Sequence, residues 1–299
     1  MINQQIATEL AVQMWQVDAA IKLLDEGSTV PFIARYRKEV TGVLDDTQLR
    51  TLEERLGYLR ELNARRHSIL DSIEKQAKLT PELANLINAA DSKTRLEDLY
   101  LPYKTKRRTK AQIAIEAGLQ PLADALLKDP TLEPEHTAKA YVNADLQVSD
   151  VKDALDGAKH ILMERFSLAA DLLAELRHMG WQDAKWQTQV VDGKQQEGAK
   201  FQDYFEFQEA LKTIPSHRAL AILRGRNEGV LQATILWSAN EHLPYESRVA
   251  SHWRIKDEGR AADKWLNEVV RWTWRVKLAS QLETALINRV REASEDRAI

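Results

Sequence analysis

A chain of 299 residues with 42 basic and 45 acidic side chains can bury a sizeable core, but its net charge of −3 exerts no general pull on polyanions, so any nucleic-acid surface has to be local. Cysteine is absent, which excludes thiol nucleophiles, cysteine metal sites and disulfides and suits a reducing cytoplasm. The start MINQQIATELAVQMWQ lacks a basic-then-apolar leader and no stretch approaches the ~20 apolar residues of a membrane span, so a soluble, cytoplasmic chain without membrane contact is expected.

Glycine and proline are scarce and helix formers abundant, which predicts a mainly α fold. Ile6 and Leu10, then Val17, Ile21 and Leu24, space two short amphipathic helices; Gly27 breaks them and Pro31 opens the next. In that next stretch, Val30 to Gly42, Arg35, Arg37 and Lys38 stand beside Phe32 and Tyr36. They are candidate phosphate contacts, against the alternative of a core helix with snorkelling cations. From Asp46, leucines and isoleucines recur at threes and fours with no proline before Pro81, predicting a helix of ~30 residues and ~45 Å that serves as a strut. Asp45 and Asp46 read as its N-cap and first turn rather than as catalytic acids. Asn63 and Arg66 interrupt its seam, which points to a bundle rather than a free coiled coil.

Residues 78–130 carry short helices over Pro81–Ala90, Thr94–Tyr100, Lys110–Ala117 and Pro121–Leu127, a pattern that fits a helix-turn-helix-like module and equally an ordinary bundle. Within it lies the sharpest local feature, the strip Tyr103, Lys104, Thr105, Lys106, Arg107, Arg108, Thr109, Lys110, with five cations and no acid. Such a strip can neutralise phosphates while tyrosine faces stack, or be a solvated loop on a tyrosine core. A second long helix is expected from near Ser149 to Gly180. Its His160 and Glu164 share helical spacing but lack a second histidine, so no metal site is expected.

Lys185–Val191 and Val230–Trp237 alternate in the β manner, predicting a small β element around 185–237. Arg224 and Arg226 flank Gly225 at a helix end and are further candidate phosphate contacts; the Gly-x-x-x-x-Gly-Lys spacing of a phosphate loop is missing, which disfavours nucleotide hydrolysis. Ala261 to Ile299 reads as one helix with Trp265, Val269, Trp272, Val276, Ala279, Leu282 and Leu286 inward and Trp274 off that face. No cap closes it, so the chain is expected to continue in a longer protein. Nothing resembles a nucleophile elbow, and neither enzymatic activity nor a cofactor is expected.

The runs VDAAIKLLDEGSTVPFIARYRKEVTGVLDDTQLR, LEDLYLPYKTKRRTKAQIAIEAGLQPLA, ALDGAKHILMERF, EGAKFQDYF and SHRALAILRGRNEGVLQ closely resemble the N-terminal region of bacterial Tex proteins, and the match covers nearly all of the chain, weakest over Ser238–Arg260. Members often carry proline in the basic loop where this chain has Thr105. The resemblance implies a helical assembly with a helix-turn-helix-like module, preceding RNase H-like, helix-hairpin-helix and OB-type RNA-binding domains beyond Ile299. It also implies transcription-associated contact with RNA or DNA. The expected organisation is 1–77, 78–130 and 131–299. The expected role is a non-catalytic scaffold making weak, sequence-nonspecific backbone contacts; the alternative is a module that docks RNA polymerase or another elongation factor.

Overall fold

The structure, a computed structural model, describes residues 2–104, 108–237 and 242–296. It is mainly α with one small sheet, as the composition predicts. Contacts divide it into two compact units, 1–103 and 104–299, so the division runs through the residues 78–130.

In the first unit, α1 (Ile2–Leu10), α2 (Met14–Asp25) and α3 (Val30–Tyr36) pack on α4 (Asp46–Lys75), as do α5 (Pro81–Ala89) and α6 (Lys93–Tyr100). The expected strut is there: 30 residues at 1.5 Å rise give about 45 Å. Its start is fixed by a capping box, in which the Asp45 carboxylate accepts from the Gln48 amide at 2.7 Å and the Gln48 side chain accepts from the Asp45 amide at 3.0 Å. Leu49, Leu52, Leu56, Leu59, Leu62, Ile69 and Ile73 form its buried seam. The polar break in that seam has a use. Arg66, held by Asn63, donates to the carbonyls of Ile87 (3.2 Å) and Ala90 (2.8 Å) at the end of α5, where helix carbonyls run short of partners. Between α3 and α4 the chain reverses through two successive left-handed residues, Gly42 (φ 63°) and Val43 (φ 67°). Glycine adopts this freely; for β-branched valine it costs about 1–2 kcal/mol.

In the second unit, α7 (Lys110–Glu116), α8 (Gln120–Lys128) and α9 (Pro134–Ala138) pack on α10 (Val151–Ser167). The second long helix predicted to reach Gly180 is two helices: α10 stops at Ser167, Ala169 is extended (φ −72°, ψ 108°), and α11 (Ala170–Asp183) starts afresh. The break needs no glycine or proline. The apolar run Leu168–Ala170 gives either helix side chains to bury, and separate helices bury Phe166 on one and Leu172, Leu173 and Leu176 on the other.

β1 (Lys185–Val190), β2 (Glu206–Ala210) and β3 (Leu231–Leu236) form an antiparallel sheet in the order β2-β1-β3. Trp186 opposite Ile235 and Thr188 opposite Ala233 supply its buried face. α12 (Ser216–Asn227) leads into β3, and α13 (Leu243–His252) precedes the final helical stretch.

That stretch corrects the sequence reading. It comprises α14 (Asp263–Trp272), a π-helical segment Thr273–Leu278, and α15 (Ala279–Asp296). The wider i→i+5 turn holds one extra residue and advances the phase by about 100°. Trp272 and Val276, predicted inward, are 48% and 52% exposed, whereas Trp274, predicted off the core face, is fully buried one turn on from the buried Val270. Leu278, Leu282 and Leu286 continue the buried row.

Candidate nucleic-acid interface

The basic strip begins where α6 tightens into a 3₁₀ turn, Leu101–Tyr103. Both tyrosines beside it are tied to α4: the Tyr100 hydroxyl meets Ser72 Oγ at 2.9 Å under the Arg65 guanidinium, and Gln76 Nε2 donates to the Tyr103 carbonyl at 2.9 Å. Tyr103 is half-buried. The bond from Gln76 falls on its backbone carbonyl and anchors the end of α6.

Lys104 is half-buried, and Lys106 and Arg107, with Thr105, lie outside the described residues. Arg108 is exposed and donates to the Glu116 carboxylate, Nε to Oε2 at 3.1 Å; that hydrogen bond holds the Glu116 carboxyl below the usual range. Thr109 caps α7, accepting from the Gln112 amide at 3.0 Å and donating to Glu164 at 3.3 Å. Lys110 is the exposed first residue of α7. A cation at the positive end of a helix opposes the dipole by a few tenths of a kcal/mol up to about 1, so helix stability does not account for it. Its charge reaches His160, whose pKa is pushed down first by burial and next by Lys110, with Lys277 and Lys159 adding to the effect.

The other candidates divide between the units. Arg224 and Arg226 close α12 as exposed residues of its last turn, where they complement the carbonyl end. α3 packs one face on α4 and leaves the other in solvent. It buries Val30 and Ile33, but Phe32 is 40% and Tyr36 61% exposed, their rings 5.4 Å apart, with the Arg37 guanidinium 5.6 Å from the Phe32 ring. Arg35, Arg37 and Lys38 are exposed beside them.

Sequence reasoning passed over Trp15. It is 55% exposed at the start of α2, and its ring lies where a Cβ on Gly42 would stand, 2.4 Å away. Gln16 fixes the same turn by donating to the Gly42 carbonyl at 2.8 Å. The available signal was Trp15 itself, which helical spacing puts opposite the Val17–Ala20–Ile21 stripe, where a large apolar residue has no packing reason to be.

The chain matches two family descriptions, "Tex-like protein N-terminal domain" over residues 1–74 and "Tex central region-like" over residues 129–299. It is 58% identical over 299 residues to protein YhgF of Escherichia coli (strain K12), covering 98% of this chain and 39% of that protein. It is 52% identical over 303 residues to the transcriptional accessory protein Tex of Neisseria gonorrhoeae, covering all of this chain and 39% of that protein. A human relative, S1 RNA-binding domain-containing protein 1, is 30% identical over 240 residues, covering 78% of this chain and 24% of its own length. The chain thus spans about two fifths of the bacterial relatives, whose match to it runs from end to end.

Proposed function

The chain belongs to the Tex family, and on that premise we propose that it is a non-catalytic scaffold of a transcription accessory factor, whose strip Lys104–Lys110 makes weak, sequence-nonspecific contacts with the phosphates of RNA or DNA. One observation carries the reading: five cations stand in seven positions without an acid, and the described end of the strip presents Arg108 and Lys110 to solvent. Lys110 sits against its helix dipole, and after burial its charge is the next cause that lowers the His160 pKa, so the strip adds positive charge locally in a chain whose net charge is −3. Arg108 shares Glu116, an exposed pair that a phosphate can displace. Arg224 and Arg226 offer a secondary contact, helix complement and phosphate donor being compatible roles. The names of relatives, "transcriptional accessory protein" and "S1 RNA-binding domain-containing protein", point the same way.

Titrating labelled RNA and duplex DNA with this chain at low and moderate salt tests the proposal. Saturable binding at low salt that weakens steeply with salt is expected, with a log–log slope of about −0.9 per phosphate contact on duplex DNA. Absence of saturable binding at low salt would leave protein docking as the function.

A further inference from the structure

We propose that the surface formed by α3, the turn 41–43 and the first turn of α2 docks an acidic, amphipathic segment of a partner protein. Of the fourteen large hydrophobic residues exposed among the described residues, six fall here: Met14, Trp15, Phe32, Tyr36, Val40 and Val43. α2 packs on α3, and contacts tie parts of the surface together. Trp15 lies over Gly42, Gln16 binds the carbonyls of Thr41 and Gly42, the Val43 amide donates to the Lys38 carbonyl at 2.8 Å, and Phe32 meets Tyr36. Clustered apolar exposure of this kind marks an interaction surface. The strained left-handed Val43 is 71% exposed, so packing within the unit does not explain why a valine is held there.

The occupant follows from the chemistry of the patch. Trp, Tyr and Arg are the side chains that anchor protein interfaces, while Met14, Val40 and Val43 give nothing to a nucleobase, which stacks on rings, but do bury an apolar side chain. Arg35, Arg37 and Lys38 are exposed and make no ion pair among the described residues, against one neighbouring acid, Glu39. A ligand that satisfies both halves carries carboxylates and large apolar side chains together. The cations expected from sequence to meet phosphates are thereby assigned to a protein partner, and this assignment is independent of the basic strip.

The test is selection of a library of random linear peptides on this protein, with the Tyr36→Ser and Arg37→Glu variants measured beside it. Enrichment of peptides rich in Asp or Glu and in Leu, Phe or Trp is expected, with affinity falling about tenfold or more in either variant. Hydrogen-exchange protection should fall on residues 30–43. Circular dichroism confirms that both variants fold, and since Tyr36 and Arg37 are exposed, their loss leaves the core intact. Enrichment of basic or neutral peptides, or acidic peptides that bind both variants unchanged, overturns the proposal. So does single-stranded RNA that protects residues 30–43 while acidic peptides do not, which would return the surface to nucleic acid.

Discussion

The indole N–H of Trp274 donates to Nδ1 of His242 at 2.9 Å, and this hydrogen bond fixes the turn before α13 to the π-helical segment. Trp274 is fully buried, stacked on Tyr245 at 4.5 Å and met edge-on by Trp237 at 5.0 Å. Burial likewise pushes the Tyr245 hydroxyl up to about 12, and that hydroxyl donates to the Trp237 carbonyl at 3.1 Å. His242→Ala removes the acceptor and should destabilise the protein by about 1 kcal/mol. The figure is modest because three other indole N–H groups, on Trp186, Trp253 and Trp265, are buried without a hydrogen-bond partner among the described residues. His242→Gln, which restores an acceptor, should recover part of the loss in urea unfolding. Equal midpoints for wild type and His242→Ala would show that the bond adds nothing.

The π segment also shows where sequence reasoning stops. Leu282 and Leu286 are legible from their spacing alone, but the step of the buried row from Trp274 to Leu278 crosses i→i+5 hydrogen bonds that no residue in Thr273–Leu278 announces. α4 is the opposite case: Asp45 with Gln48 marks its start, the leucine seam its length, and even its anomaly, Arg66, is visible as a polar break. The division of α10 from α11 at Ala169 was hidden because the run around it is apolar and free of glycine and proline. For the candidate interface, charge clustering located the strip, whereas the exposure of Phe32 and Tyr36 is a tertiary property that local pattern does not encode.

Replacing Lys104, Lys106, Arg107, Arg108 and Lys110 with alanine should lower nucleic-acid affinity and flatten its salt dependence while the helical circular dichroism signal persists. Stability should change little, since the Arg108–Glu116 pair is exposed and screened by solvent and removing Lys110 relieves an unfavourable dipole contact. An unchanged salt slope in the variant would remove the strip from the interface.

His160 gives a pH-dependent readout. Its folded pKa lies below the ordinary 6.5, so the unfolded chain takes up the proton first and protonation favours unfolding. Its contribution to stability is intact above pH 6.5 and declines as pH falls below that value toward the folded pKa. Unfolding midpoints between pH 5 and 7 should therefore drop less steeply in His160→Asn than in wild type. Because the Lys110 charge is one cause of the shift, a polyanion bound at the strip should raise the His160 pKa, measurable by proton NMR with and without oligonucleotide. No movement on saturation would place the bound phosphates away from Lys110.

Two helical glycines should respond oppositely to alanine. Gly57 lies on the exposed side of α4, and a Cβ there meets nothing within 4 Å. Gly57→Ala gains the intrinsic preference of alanine for helix and restricts the unfolded chain, so it should stabilise by about 0.5–1 kcal/mol. Gly157 is in α10, where a Cβ would stand 2.3 Å from Leu119 Cδ1 and 3.3 Å from the Ala114 Cβ. The same helical gain is available, but Leu119 is buried and packed, so its side chain has to leave its place. Overpacking typically costs about 1–3 kcal/mol, which outweighs the roughly 1 kcal/mol of propensity, and Gly157→Ala should be net destabilising. Leu119→Ala added to Gly157→Ala opens the space the new methyl needs, so the double variant should lose less stability than the two single losses together. Chemical unfolding of all four variants decides the matter. If Gly157→Ala proved as stabilising as Gly57→Ala, the close approach of α10 to the turn between α7 and α8 would be wrong.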